Sequence, residues 1–114
     1  CGSCHAPFPA KMLPSASWRA VMTSLDKHYG TDASIDAPAA QALTQWLTAS
    51  PSNKVSVRPP QDRVTKSTYF ARKHSEVSAA VWARPSIKSA VNCTACHTRA
   101  AEGSYSEREI VIPK

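Results

Sequence analysis

The ten residues from Val91 to Ala100 read VNCTACHTRA, placing two thiols and an imidazole, Cys93, Cys96 and His97, in one tight group. The chain opens with the same pattern, CGSCH, in which Cys1, Cys4 and His5 hold the corresponding places. Every one of the 4 cysteines therefore belongs to a C-x-x-C-H. Zinc ribbons also use C-x-x-C pairs, but theirs lie roughly 15–20 residues apart, whereas residues 5–92 separate these two. A thioredoxin-like redox pair needs a βαβ setting, and nothing strand-like precedes Cys1 or Cys93. Covalent haem c attachment accounts for each motif as a whole: two thiols form thioethers to the haem vinyl groups, and the next residue, a histidine, ligates iron from the proximal side. The expectation is two haem c groups, held by Cys1 and Cys4 and by Cys93 and Cys96, with His5 and His97 as proximal ligands. A structural disulfide pair or an unusual metal site are the competing readings.

A chain of 114 residues is one domain, or two very small ones. Split between two haems, its segments are too short to bury much apolar surface alone, so the haems are expected to form most of the core. An aromatic content of 7% and 9 prolines agree with that. No run approaches the roughly 20 apolar residues of a membrane span, the longest pieces being of the kind IVI, so the chain itself is not expected to span a membrane. A chain beginning at the first cysteine of a haem motif implies upstream residues removed or lost. It also leaves open that these residues are one module of a longer multihaem or membrane-anchored protein. Because haem c is attached after export in bacteria, the motif points to the periplasm.

The formal net charge is +6, and it is unevenly placed. Up to residue 50, Lys11, Arg19 and Lys27 are balanced by Asp26, Asp32 and Asp36. Between Lys54 and Arg99, the acidic residues Asp62 and Glu76 face a large excess of lysine and arginine. These cations either offset haem propionates, since a ferric haem c with both propionates ionised carries about −1, or form a docking face for an acidic partner. Their scatter, with the haem chemistry, argues against nucleic acid.

After the first motif, APFPAKMLP is proline-punctuated and expected to be non-helical. SASWRAVMTSLDKHYG reads as one helix, capped by Ser15 or Ser17 and ended by Gly30. Trp18, Val21, Met22, Leu25 and Tyr29 form its apolar stripe, with His28 at the margin. A second helix is expected in DAPAAQALTQWLTAS, with Asp36 as cap, Pro38 in the first turn, Leu43, Trp46 and Leu47 on one face, and a stop at Pro51. This haem motif, loop, helix and terminal helix resemble the class I cytochrome c plan over residues 1–50, although its usual axial methionine region is absent. SPSNKVSVRPPQDR reads as a surface linker. That divides the chain into a cytochrome c-like N-terminal domain, residues 1–52, and a haem-organised C-terminal domain, residues 53–114. In the latter, weak helical character is expected around His74, a short helix in SIKSAVNC, and irregular structure after His97. The fold class is mainly α with much irregular structure.

Four histidines occur: His5, His28, His74 and His97. Two are proximal ligands by motif, and the two others match two open iron positions, so both irons are expected to be bis-histidine. Chain proximity pairs His28 with the His5 haem and His74 with the His97 haem, crossed pairing being the alternative. Met12 and Met22 are competing ligands that suit ordinary packing equally. An iron closed by two side chains has no place for substrate, so the chemistry is electron transfer rather than catalysis. The rival is a haem enzyme or gas sensor with one labile distal histidine, acting on peroxide, nitrite or nitric oxide, but no proton-transfer constellation for it is evident.

Residues 66–114, with KHSEV, VWARPSIKSAVNCTACHTRAAEG and YSEREIVIP in that order, resemble the diheme cytochrome c family known as DHC, and the first half fits its N-terminal portion. The run from His74 through Trp82, Asn92, Gly103, Glu107 and Ile110 to Pro113 carries the likeness. The resemblance implies a periplasmic bis-histidine electron carrier, with a C-terminal domain of little regular structure. It also implies a redox partner, a monohaem oxygen-binding cytochrome c that receives the electrons, with a membrane protein as donor. By position, His5 and His97 match the motif histidines, and His28 and His74 the distal ones.

Overall fold

The computed structural model describes all residues except Pro51 and Asn53. Its described residues form four α-helices: α1 (Ser15–Thr23), α2 (Ala37–Thr48), α3 (Thr68–Lys73) and α4 (Ala79–Trp82), joined by short 3-10 turns and irregular chain. No strand occurs among them, only isolated bridges between His28 and Thr31 and between His97 and Ile110. The fold is thus mainly helical with much irregular structure, as the sequence predicts. Among the described residues no helix is long and apolar enough to cross a membrane. Contacts gather the chain into two units, Ala10–Arg72, and Cys1–Pro9 with Lys73–Lys114. The division at residue 52 drawn from sequence cuts through the first of these.

In the Ala10–Arg72 unit, α1 packs on α2, and Leu13, Trp18, Leu47, Val55 and Val64 are buried. The Trp18 indole donates to the Ala10 carbonyl at 2.8 Å, which satisfies the polar end of the largest core side chain. The single helix expected through Gly30 stops at Thr23. Its own hydroxyls end it: Thr23 Oγ1 donates to the Arg19 and Ala20 carbonyls, and Ser24 Oγ to Ala20. The Ser24 amide turns instead to Val21, as expected where Ser and Thr back-bond to the preceding turn. Ser17, offered as a cap, is fully buried, and Pro14 occupies the cap position. Gly30 (φ +90°) lies in a tight turn after Tyr29 (φ +50°), clear of the helix.

α2 forms as the sequence predicts at its start, with Asp36 Oδ1 accepting from the Ala39 amide at 2.8 Å and Pro38 in the first turn. Its face is narrower than predicted: Leu47 is buried, but Trp46 is 64% exposed. The stop at Pro51 lies outside the described residues. Of the predicted linker, Val55 joins the buried core, and the turn Pro60–Asp62 packs on α1. Arg58 grips Asp62 through two hydrogen bonds, of 2.6 and 2.9 Å.

The unit of Cys1–Pro9 and Lys73–Lys114 is built differently. Ile87 and Ala100 are its buried apolar residues, and polar contacts hold much of the rest. Arg84 donates to the Pro113 carbonyl at 2.6 Å, Ser86 to Lys114, and the Asn92 amide to Ile87. Arg99 joins Glu102 and Glu109, and Lys73 joins Glu107. The short helix predicted in SIKSAVNC does not form; the chain turns there, with Lys88 at φ +66°.

Candidate cofactor site

Cys93 opens a 3-10 turn, Cys93–Ala95, and the amides of Cys96 and His97 both donate to its carbonyl, at 3.3 and 2.8 Å. One turn therefore brings two thiols and an imidazole together. The cysteines are not disulfide-bonded. Burial pushes the Cys93 thiol above its ordinary value, and burial raises Cys96 as well, opposed by the nearby Arg84 guanidinium. Thiols held protonated in this way lack the lowered pKa of redox-active C-x-x-C pairs.

The pKa of His97 is lowered, first by burial and then by the neighbouring His74, both of which favour the neutral ring. A neutral imidazole is the form that ligates metal. His74, directly after α3, presents its ring to His97 with centroids 6.1 Å apart and planes at 78°. A metal bridging two imidazoles, with bonds of about 2 Å and ring nitrogens about 1 Å from each ring centre, sets the centres roughly 6 Å apart. The same spacing also suits an edge-to-face ring pair. Trp82 lies 5.8 Å from the His74 ring and Tyr105 5.3 Å from that of His97. Among the described residues no three of His, Cys, Asp and Glu converge as a metal cluster. A porphyrin brings four nitrogens of its own and would need no such cluster.

At the first motif, the Cys4 amide donates to the Cys1 carbonyl at 3.5 Å, and both thiols are exposed. The His5 ring stacks on Phe8, with centroids 4.9 Å apart. His5 Nδ1 contacts the Ala6 carbonyl at 2.8 Å; since a carbonyl only accepts, Nδ1 carries the proton and Nε2 keeps its lone pair for a metal.

His28 lies in the Ala10–Arg72 unit, after the turn Leu25–Lys27. Two backbone hydrogen bonds with Thr31 pin it, and its ring meets Tyr29 edge-on at 4.9 Å. Tyr29 is fixed in turn, donating to the Gln61 and Asp62 carbonyls with the Arg63 guanidinium 4.4 Å above its ring. A cavity opens beside His28, between Val21, Ser24 and Asp62. Met22 lies within α1 and Met12 in the turn Ala10–Met12.

The structure thus sets His74 against His97, which follows the Cys93–Cys96 turn directly. Sequence reasoning assigned no role to Tyr105, which sits in an aperiodic stretch and is signalled by the turn at Gly103 (φ +82°) just before it and by its place at the head of YSEREIVIP.

Residues 1–105 match the family described as dihaem cytochrome c. The fold is similar to that of a diheme cytochrome c from Shewanella baltica OS155, with a TM-score of 0.84 and 32% identity over 99% of this chain and 87% of that one. It is also similar to a diheme cytochrome c from Rhodobacter sphaeroides, with a TM-score of 0.79 and 34% identity over 92% of this chain and 90% of that one. No curated protein matches significantly.

Proposed function

The chain belongs to the dihaem cytochrome c family, and from that premise we propose that it is a periplasmic electron carrier whose two irons are each closed by a pair of histidines. It carries two c-type haems and is an electron-transfer protein. When bound, haem supplies a one-electron change at iron. The chain's residues do the rest. Cys1 and Cys4, and Cys93 and Cys96, fix each group by thioethers. His5 and His97 are the proximal ligands, and His28 and His74 the distal ones, of the first and second haem respectively. Were each iron held by two of these side chains, no small molecule would reach the metal, and the reorganisation accompanying transfer would stay small. Histidine pairs also hold the potential below that of a histidine–methionine pair in similar surroundings.

The single observation carrying this reading is the His74 and His97 pair, 6.1 Å apart beside the Cys93–Cys96 turn. The partner is proposed as a monohaem oxygen-binding cytochrome c, with a membrane protein as donor. The support is the family likeness and the cationic surplus beyond residue 50, of which Arg58, Lys73 and Arg99 are engaged in ion pairs.

Absorption spectra of the oxidised and reduced protein, with and without carbon monoxide, test the ligation. Two low-spin haem equivalents indifferent to carbon monoxide are expected. His74→Ala then opens one iron, so that half of the haem binds carbon monoxide. A high-spin component in the unmutated protein, shifting under carbon monoxide, overturns the proposal and turns attention from partners to substrates.

A further inference from the structure

The two motif histidines differ in what stands behind them. His5 Nδ1 donates to a backbone carbonyl, that of Ala6. His97 Nδ1 is buried and has no hydrogen-bond partner among the described residues, and the same is true of the Tyr105 hydroxyl. These two orphaned atoms belong to neighbouring rings, with centroids 5.3 Å apart and planes inclined at 54°. Buried polar groups are seldom left unpaired, because the lost hydration is not recovered. Here the two are chemically complementary. An imidazole bound to iron through Nε2 keeps its proton on Nδ1 and must donate, and a neutral phenol oxygen can accept.

We propose that Tyr105 is the positioning residue of the second haem, its hydroxyl oxygen accepting the Nδ1–H of His97 as the Ala6 carbonyl accepts that of His5. The inference rests on the reading of His97 as an iron ligand. It gives the two haems unequal support. A hydrogen bond at the far nitrogen raises the basicity of a ligating imidazole, and a phenol oxygen is a weaker acceptor than a peptide carbonyl. His97 therefore donates less strongly to iron than His5. In this respect the second haem has the higher potential.

Tyr105→Phe in the two-haem protein is the test, since it keeps the ring and removes the hydroxyl. Potentials of the two haems are followed separately by NMR during a redox titration, together with solvent exchange of the His97 Nδ1–H. The second haem is expected to become easier to reduce by up to about tenfold in its equilibrium constant, which is about 59 mV for one electron. The first haem is unmoved, and the His97 proton exchanges faster. An unchanged His97 proton overturns the proposal, whether or not the potential moves, because the hydroxyl then acts elsewhere or not at all. Should the variant fail to assemble, the unmutated protein decides. A nuclear Overhauser contact between the His97 Nδ1–H and the Tyr105 ring protons is required, and its absence overturns the proposal. Failure of the underlying ligation is separate, since it appears as carbon monoxide binding by the unmutated protein.

Discussion

The Ala10–Arg72 unit and the unit of Cys1–Pro9 with Lys73–Lys114 solve the problem of a small core in opposite ways. The first buries Leu13, Trp18, Leu47, Val55 and Val64 and contains two packed helices of ordinary length. The second buries Ile87 and Ala100, contains the short α4, and ties its chain by contacts such as Arg84 to Pro113 and Val111 to Cys96. Ordering a residue costs about 1.5 kcal/mol of conformational entropy. Two apolar side chains cannot offset that over so long a stretch. The difference teaches that the second unit, which carries both haem-attachment motifs, relies on polar ties rather than on an apolar core of its own, whereas the first draws most of its stability from its own side chains.

The largest expected effect breaks this comparison most directly. Replacing Cys93 and Cys96 with alanine removes the covalent hold on the second haem and with it the centre of that unit. Amide hydrogen exchange is expected to show protection lost across residues 73–114 and kept in α1 and α2. Protection persisting throughout 73–114 would mean that the polar network suffices alone, and the comparison would collapse.

A smaller effect sharpens the other side. Leu47 is 5% exposed, so Leu47→Ala leaves a cavity and costs roughly 2–4 kcal/mol. Urea unfolding followed by Trp fluorescence measures it. The low-spin spectrum of the second haem is expected to survive at urea concentrations where the first unit has begun to open. Simultaneous loss of both signals would show that the two units unfold as one.

Much of this contrast was legible in the sequence, for reasons that differ by residue. The C-x-x-C-H motifs are local, so spacing alone identified Cys1, Cys4, His5, Cys93, Cys96 and His97 as haem-binding candidates. The start of α2 was legible because Asp36 and Pro38 act through the adjacent backbone. The end of α1 was not, because an apolar stripe cannot report that Thr23 and Ser24 turn their hydroxyls onto Arg19 and Ala20. Trp46 misled for a related reason, since helical phase tells which residues share a face but not how wide the neighbouring helix is. Val55 sits among serines and prolines, where composition says loop, yet tertiary packing buries it. Tyr105 opens the YSEREIVIP stretch but follows no periodicity: only the fold places its ring beside that of His97.

The smallest effect concerns acid. Asp62 is held below the usual carboxylate range, chiefly by its hydrogen bond from Arg58, against an opposing contribution from burial. Its carbonyl also accepts from the Tyr29 hydroxyl, which anchors the turn next to His28. A carboxylate whose pKa is lower in the folded than in the unfolded chain stabilises the fold above the unfolded value of about 3.9. That contribution is lost as pH falls through the folded value, since the unfolded chain binds the proton more readily. Because Arg58 is 55% exposed, solvent screens the pair and the effect is modest. Glu107 and Glu109 are lowered too, by hydrogen bonds from Lys73 and from Ser104, so the unmutated protein is expected to lose stability in both units below about pH 4. Asp62→Asn isolates the first unit's share. Its urea midpoint, read from the tryptophan signal, should start slightly lower at neutral pH and fall less steeply between about pH 4 and pH 2 than that of the unmutated protein. Parallel slopes would show that the acid sensitivity of the Ala10–Arg72 unit lies elsewhere. The apolar core of that unit would then stand without measurable help from the Arg58–Asp62 pair, making the contrast with the polar-tied unit sharper still.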